Sequence, residues 1–274
     1  MSIITISHTA FGSGRAVAER VASILDYRCV SREVLLEASQ RYGIPEARFS
    51  ELFETEPHWW ERWLESLRLY RTTLQAAMCE VAQGGNIVYH GRAGQELFPG
   101  VRHVLKVFLD ASMEYRVEQV RVRKGLGEEA ARQYLKELDR IRSRRLKAIF
   151  NIDWRDPGRH DLVLNTSRMN VETAAHLIVE AVQREEYQPN PESEQAFSDL
   201  TITARVQAAL ITSSKTRSLN ISVTVEKGQV HMTGILTDPS LEQEIIHTVE
   251  GISGVTKVVA DFIPATIDEY MFHQ

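Results

Sequence analysis

The chain has 274 residues, of which 43% are hydrophobic and 25% are charged, and its formal net charge is −5 at pH 7. These values indicate a globular, soluble protein with room for one large domain or two smaller ones. The negative charge argues against a general nucleic-acid binder, because that function needs a basic surface.

The cysteines and the N-terminal sequence indicate the cellular compartment of the protein. Cys29 and Cys79 lie in apolar sequence surroundings, so we expect two buried free thiols rather than a disulfide or a metal site. The N-terminus enters a strand pattern directly, without the features of a secretory signal, and no stretch holds about 18 consecutive apolar residues. We therefore expect a cytoplasmic protein.

Strand and helix patterns alternate over residues 1–185, which we take as the first domain. The predicted strands are Ile3–Ser7, Asn86–His90, Val104–Asp110 and Asp161–Asn165. Predicted helices follow the first strand and cover Trp59–Ala82, Met113–Lys124, Glu128–Phe150 and Val171–Val182. This alternation predicts an α/β fold with a parallel sheet and helices on both of its faces.

A break in the pattern falls at residues 186–197, "EYQPNPESEQAF", and predicts a linker. A second, smaller domain is predicted over residues 198–263, in the order helix, two strands, helix, strand. The two adjacent strands, "ISVTVEKG" and "QVHMTGIL", share a hairpin turn at Lys227-Gly228. Residues 264–274 are left as a tail.

A glycine turn, Gly12-Ser13-Gly14, joins the first strand to the first helix. Free backbone N–H groups at such a helix start suit an anionic phosphate, and Arg15 adds a cation. The lysine of the full phosphate-loop motif is missing, so an ordinary strand–helix turn stays open as an alternative. Among the histidines, we single out His8 because it lies directly before the loop.

Residues 112–147 are strongly basic in an otherwise acidic chain. One interpretation is a solvated helical face with ion pairs between successive turns. The alternative is a helical lid whose arginines close over phosphates, with Arg142 ranked first and Arg116, Arg140 and Arg144 after it. Arg92 follows a strand at the edge where parallel sheets bind ligands.

Three segments resemble the cytidylate-kinase-like family of P-loop nucleoside-monophosphate kinases. The first joins the Gly-Ser-Gly loop to Ser31-Arg32-Glu33, and the second contains Gly91-Arg92, Phe98-Pro99 and Glu114-Tyr115-Arg116. The third, "LDRIRSRRLKAIFNIDWRDPGRHDLVLNTS", is similar to the family's lid and last strand. The resemblance implies a nucleotide site made by Gly12, Ser13, Gly14, Arg15, Arg32, Arg92, Arg140 and Arg144, with Arg15, Arg116 and Arg142 as catalytic candidates.

Departures from the family pattern fall on the residues that carry the chemistry. An alignment without gaps puts the family's lysine at Gly14, its Mg²⁺-holding hydroxyl at Ala16, and its central loop glycine at Phe11. In a shifted register Arg15, one residue along, could supply the cation but not the hydroxyl. Phosphoryl transfer depends on positioning and on neutralising the charge of the transferred group, so these losses remove much of the expected catalysis.

The second domain resembles a BON domain over residues 199–262, through Val223, Val225, Gly228, Val230 and Gly234. BON domains are non-catalytic modules, and the resemblance implies a protein or phospholipid partner, or a regulatory or dimerising role.

Three functions therefore stay open. The first is phosphoryl transfer from ATP, with Mg²⁺, to a cytidine-type nucleoside monophosphate or a related acceptor. The second is a nucleotide-sensing pseudokinase with the BON-like unit as its interaction module, and the third is surface binding by that unit alone. We expect no nucleic-acid partner, and a homo-oligomer is compatible with all three.

Overall fold

A computed structural model of the chain describes residues 2–31, 33–44 and 60–264, with the side chains of residues 60–66 left out. Within them the first unit contains strands β1 (Ile3–His8), β2 (Arg28–Val30), β3 (Ile87–Gly91), β4 (Val104–Asp110) and β5 (Leu162–Asn165). Its helices are α1 (Gly14–Leu25), α2 (Glu33–Tyr42), α3 (Trp60–Ala82), α4 (Met113–Lys124), α5 (Glu128–Phe150) and α6 (Val171–Val182). The second unit contains α7 (Pro191–Thr212), β6 (Ile221–Glu226), β7 (Gln229–Leu236), α8 (Leu241–Glu250) and β8 (Lys257–Pro264).

The five strands of the first unit form one parallel sheet in the order β2-β3-β1-β4-β5. Helices α1 and α6 cover one face, and α2, α3 and α7 cover the other. The predicted α/β class with a covered parallel sheet is confirmed. Strand β2 escaped the sequence analysis because its three residues are too few to show a hydrophobic period.

The second unit has a three-stranded sheet in the order β6-β7-β8, with β6 and β7 antiparallel and β7 and β8 parallel. The predicted hairpin is present, with Lys227 and Gly228 both at positive φ, 51° and 77°. Asp199 fixes this turn, since its carboxylate accepts hydrogen bonds from both backbone N–H groups at 2.9 Å. Helices α7 and α8 supply the rest of the core.

Helix α7 begins inside the predicted linker 186–197, at Pro191, and continues without a break to Thr212. A capping box starts it, because the Asn190 side chain accepts from the Ser193 N–H and the Ser193 hydroxyl accepts from the Asn190 N–H. Proline at the first helical position is pre-organised for this role. The prolines of this segment therefore help to begin a helix rather than mark an irregular connection.

Helix α7 also joins the two units, because Ala204 and Ala208 lie in the core of the first and Val206 and Leu210 in the core of the second. Arg205 of α7 pairs with Glu80 of α3 and donates to the Ser253 carbonyl at 2.9 Å. Arg205 holds the pKa of the Glu80 carboxyl below its usual value through a hydrogen bond. No helix of the described residues is both long and apolar enough to cross a membrane.

Replacing Arg205 tests how much the joint between the units contributes to stability. The side chains of Glu80 and Arg205 are only 9% and 18% exposed, so Arg205→Gln leaves a mostly buried carboxylate with only the longer contact to Arg41, at 3.8 Å. We expect the free energy of unfolding to fall by about 1–3 kcal/mol in urea titrations. The control is Lys215→Gln, whose partner Glu244 is half exposed, with an expected loss of at most about 0.5 kcal/mol. Equal losses in both variants would contradict the prediction.

Candidate phosphate site

The carboxyl end of β1 is the point where the sheet changes direction. From β1 the chain continues to β2 and β3 on one side and to β4 and β5 on the other. Ligands of parallel α/β sheets bind in the crevice at such a point. His8 ends β1, Gly91 ends β3 and Asp110 ends β4, so these three residues border the crevice.

The loop between β1 and α1 leaves backbone N–H groups at the start of the helix without acceptors inside it. Phe11 has a φ of 61°, and the Gly12 N–H donates to the Thr9 carbonyl at 3.2 Å. The Val17 N–H donates to the Ser13 carbonyl, so the N–H groups of the preceding helical residues have no acceptor inside α1. The Ser13 side chain does not cap the helix, and its hydroxyl lies 3.4 Å from that of Tyr115. The helix dipole and these N–H groups together favour an anion.

Phe11 keeps a conformation that a glycine would adopt more readily. A left-handed φ is unfavourable for an aromatic residue and persists only where the surroundings fix it. Here the Phe11 ring packs edge-on against Tyr134 of α5, with 5.9 Å between the ring centroids. The contact explains how the loop keeps its shape although the family's central glycine is replaced.

His8 fills the space in which a side chain at position 14 would lie. A Cβ added to Gly14 would come within 2.1 Å of His8 Cγ and 2.6 Å of His8 Cβ. The imidazole Nδ1 lies 3.1 Å from the Thr9 carbonyl oxygen. Burial, together with the nearby Arg142, His90 and Arg92, lowers the pKa of His8 to about 4, although the contact with the Thr9 carbonyl opposes the shift. The ring is therefore neutral at pH 7, and a side chain at position 14 would collide with it.

Arg142 reaches the loop from helix α5. It donates a hydrogen bond to the backbone carbonyl of His8, and its guanidinium lies over the Trp154 ring, 3.9 Å from the centroid. Burial lowers the pKa of Arg142 to about 9, followed by the nearby charge of Arg92. Its buried Nε makes no hydrogen bond within the described part of the chain. A desolvated cation with spare donor capacity beside the loop is the arrangement that an incoming anion would stabilise.

Arg116 of α4 connects the loop to helix α5. It is 1% exposed, its Nε donates to the Ala10 carbonyl at 2.8 Å, and its two terminal nitrogens donate to Asp139 at 2.8 Å each. Asp139 also accepts from Arg155 at 2.7 Å. Asp139 therefore pairs with Arg116 and Arg155, whereas Arg142, three residues further along α5, donates to the loop itself.

The other predicted site residues differ in their exposure and in their interaction partners. Arg15 is 78% exposed and pairs with Glu19 one helical turn along, and Arg140 pairs with Glu137. Arg92 follows β3, where its carbonyl accepts from Tyr89 at 3.2 Å, and Arg144 is exposed on α5. Arg32 lies outside the described residues. The roles of these residues, and of Gly12, Ser13 and Gly14, stay predictions.

The partners that organise the site were not predicted from the sequence. Trp154 was given no role of its own, yet its ring is 1% exposed and supports both Arg142 and Arg155. His8 was singled out only for its place beside the loop. The one signal for its role was the glycine at position 14, which leaves room for a neighbouring ring.

The loop is a poor fit for a resident Mg²⁺. Position 16, where the family holds a hydroxyl, is Ala16. Within the described ranges no three His, Cys, Asp or Glu side chains come together as a metal site. Mg²⁺ takes several oxygen ligands in octahedral geometry, so a metal here would depend on oxygens that a nucleotide brings.

Comparison with known proteins follows the two-unit organisation. The sequence model of the cytidylate kinase-like family matches residues 3–168, and that of the BON domain matches residues 198–263. A protein named cytidylate kinase from Methanocaldococcus jannaschii is 31% identical over 105 residues, 38% of this chain and 59% of that protein. Another, from Methanopyrus kandleri, is 28% identical over 189 residues, 66% of this chain and 92% of that protein.

Among solved structures, the chain is similar to a crystal structure of an uncharacterized protein from Eubacterium ventriosum. The TM-score is 0.51 at 17% identity, and the match covers 66% of this chain and 97% of that one. A likeness at this identity supports the fold of the first unit and carries no information on its ligand.

Substitution at Gly14 tests whether the His8 ring fills the lysine space. Gly14→Ala forces a methyl group into that ring, and we expect it to lower the free energy of unfolding by about 2 kcal/mol. His8→Gly in the same chain removes both the ring and the His8 Cβ, which lies 2.6 Å from the added methyl, and is expected to recover most of that loss. Gly12→Ala is the control, because its added Cβ would meet atoms no closer than 3.3 Å. A Gly14→Ala loss that His8→Gly does not reduce would contradict this packing.

The lowered pKa of His8 predicts a pH dependence of stability. Between the ordinary value of 6.5 and about 4, the unfolded state binds a proton that the folded state excludes. Stability is therefore fully present above pH 6.5 and is lost as the pH falls towards 4. We expect His8→Ala to make the fall in unfolding free energy over this range shallower, measured by urea titration at several pH values. An unchanged slope would show that the ring is not desolvated.

Proposed function

Because the chain belongs to the cytidylate kinase-like family, we propose that it binds nucleotide phosphates at the end of β1 and has lost efficient phosphoryl transfer. The observation that carries the proposal is the His8 ring against Gly14, the position at which the alignment without gaps puts the family's lysine. The proposal separates binding, for which the loop keeps the backbone donors, from transfer, for which it lacks the side chains.

Binding is supported by the donors and cations at the loop. The first N–H groups of α1 have no acceptor inside the helix, and Arg142 is held at the His8 carbonyl with its buried Nε free to donate. Arg116 holds the Ala10 carbonyl and thereby the curve of the loop. In a desolvated site, such groups attract a phosphate more strongly than they would in water.

Loss of transfer is supported by the missing neutralisation of charge. The transferred phosphoryl group needs cations around its equatorial oxygens and a metal bridging two phosphates. Gly14 and Ala16 supply neither, and Arg15 is turned to Glu19 and solvent. The proposed ligand is a nucleoside mono- or triphosphate of the cytidine or adenosine type, with Mg²⁺ arriving on ATP rather than held by the loop.

A second candidate function is phosphoryl transfer from ATP to a cytidine-type nucleotide. Two observations favour it: the relatives carry the name cytidylate kinase, and Arg142 brings a guanidinium to the loop. Arginines on a closing lid can stabilise the charge of a transferring phosphoryl group. In either case we propose a cytoplasmic protein, with the BON-like unit serving as a regulatory or interaction module.

Calorimetry and a coupled kinase assay distinguish the two candidates. We expect CMP, CTP or ATP to bind and ATP with CMP to give no turnover above background. Arg142→Gln is expected to weaken nucleotide binding by about tenfold, because a hydrogen bond to a charged group is lost. The matched control is Arg121→Gln, an exposed arginine of α4 paired with Glu118. Failure of all three nucleotides to bind would overturn the proposal, and turnover would favour the second candidate.

A gain-of-function variant tests the reason for the proposed loss. His8→Gly with Gly14→Lys and Ala16→Ser empties the ring space and restores a lysine and a hydroxyl. We expect measurable turnover from this triple variant, whereas Gly14→Lys with His8 retained is expected to be inactive and unstable. Circular dichroism of each variant checks that it is folded. A folded triple variant that binds ATP without turnover would show that the defect lies elsewhere.

A further inference from the structure

Strand β8 forms one edge of the second sheet. It pairs with β7 over eight residues, from Lys257 to Pro264, and no other strand of the described residues flanks it. Half of its backbone N–H and C=O groups therefore point away from β7. A long uncovered edge is a ready template for pairing with another strand, and natural proteins usually shorten or cover such edges.

The core beneath β8 is open on that side. Every fully buried core residue of the second unit comes from α7, β6, β7, α8 or the segment before β6. The inward residues of β8, by contrast, are only partly buried, and so is Ile246 on the helix that packs over it. The inward residues are Val258, Ala260 and Phe262. A further layer placed along β8 would complete this core.

The opposite edge of the sheet does not share this feature. The inward residues Ile221 and Val223 of β6 are 8% and 7% exposed. The segment leading into β6 is held by the first unit, because Arg68 of α3 donates to the Leu219 carbonyl. The core is therefore closed more completely at the β6 edge, where, among the described residues, Val225 is the one inward strand residue that is only partly buried.

The charges on the outer face of β8 are arranged as a pair about Val259. Lys257 and Asp261 lie two residues to either side of it, and both are exposed. Neither side chain has an interaction partner within the described part of the chain. In an antiparallel pairing of β8 with a copy of itself centred on Val259, each Lys257 lies opposite the other copy's Asp261. The inward residues Val258 and Ala260 then lie opposite each other across the new seam.

We propose that two copies of this chain pair edge to edge through β8, antiparallel and with the twofold axis at Val259. The dimer has one six-stranded sheet. Its twofold axis is perpendicular to the sheet, so the helices of both copies lie on the same face. Two Lys257–Asp261 pairs set the register, because cross-strand partners of opposite charge are favourable and like charges are unfavourable. This surface is far in the chain from the loop at β1, so its test is independent of nucleotide binding.

Light scattering on the full chain tests the proposal. We expect a particle of twice the 31.2 kDa chain mass at micromolar concentrations. Lys257→Asp and Asp261→Lys each place like charges in both pairs, and each is expected to weaken dimerisation by about tenfold. The swapped double variant restores the opposite charges and is expected to recover the wild-type dissociation constant. A wild-type monomer, or a double variant no better than the singles, would overturn the proposal.

A cysteine placed on the axis tests the register directly. Val259 pairs with itself, so Val259→Cys brings two thiols to the separation that a disulfide needs. We expect it to form a covalent dimer on mild oxidation in a Cys29→Ser background. Ile263→Cys is the control, since residue 263 lies eight positions from its own copy across the seam, beyond disulfide reach. Equal cross-linking of both variants would contradict the antiparallel register.

Discussion

The buried pairing of Arg116 with Asp139 is the interaction on which the candidate site depends. One guanidinium holds a carbonyl of the β1–α1 loop and a carboxylate of α5 at the same time. The same carboxylate holds Arg155, whose guanidinium packs on Trp154 beside that of Arg142. Removing either partner of a buried pair leaves an uncompensated charge. This network of hydrogen bonds therefore fixes the β1–α1 loop, helix α5 and Trp154 relative to one another.

The loop also shows that backbone shape and side-chain chemistry have separated in this chain. Phe11 keeps a left-handed φ through contact with Tyr134, and α1 begins at Gly14 with its N–H groups available. The side chains expected at positions 14 and 16 are absent, and His8 fills the first of those spaces. The shape of such a loop can persist without the side chains of the full motif, because the shape depends on backbone geometry and the catalysis on particular residues.

Much of the fold was predictable because long, strongly periodic segments specify their own type. Helices Met113–Lys124, Glu128–Phe150 and Val171–Val182 begin and end where the sequence placed them. The position of the glycine turn between β1 and α1 was predictable in the same way. The direction of each arginine side chain was not predictable, because Arg15 and Arg142 differ in their tertiary surroundings rather than in local sequence pattern. A period identifies the face of a helix, but tertiary contacts decide which side chain is buried.

Helix α7 has a consequence for how the two units can be handled and how they can move. Its alternating faces belong to both cores, with Ala204 and Ala208 on one side and Val206 and Leu210 on the other. Cutting the chain near residue 198 would strip a wall from the first unit while leaving the second with an exposed apolar strip. Because α7 contributes to both cores, a hinge motion between the units would expose apolar side chains of this helix to water. The two units are therefore expected to move together.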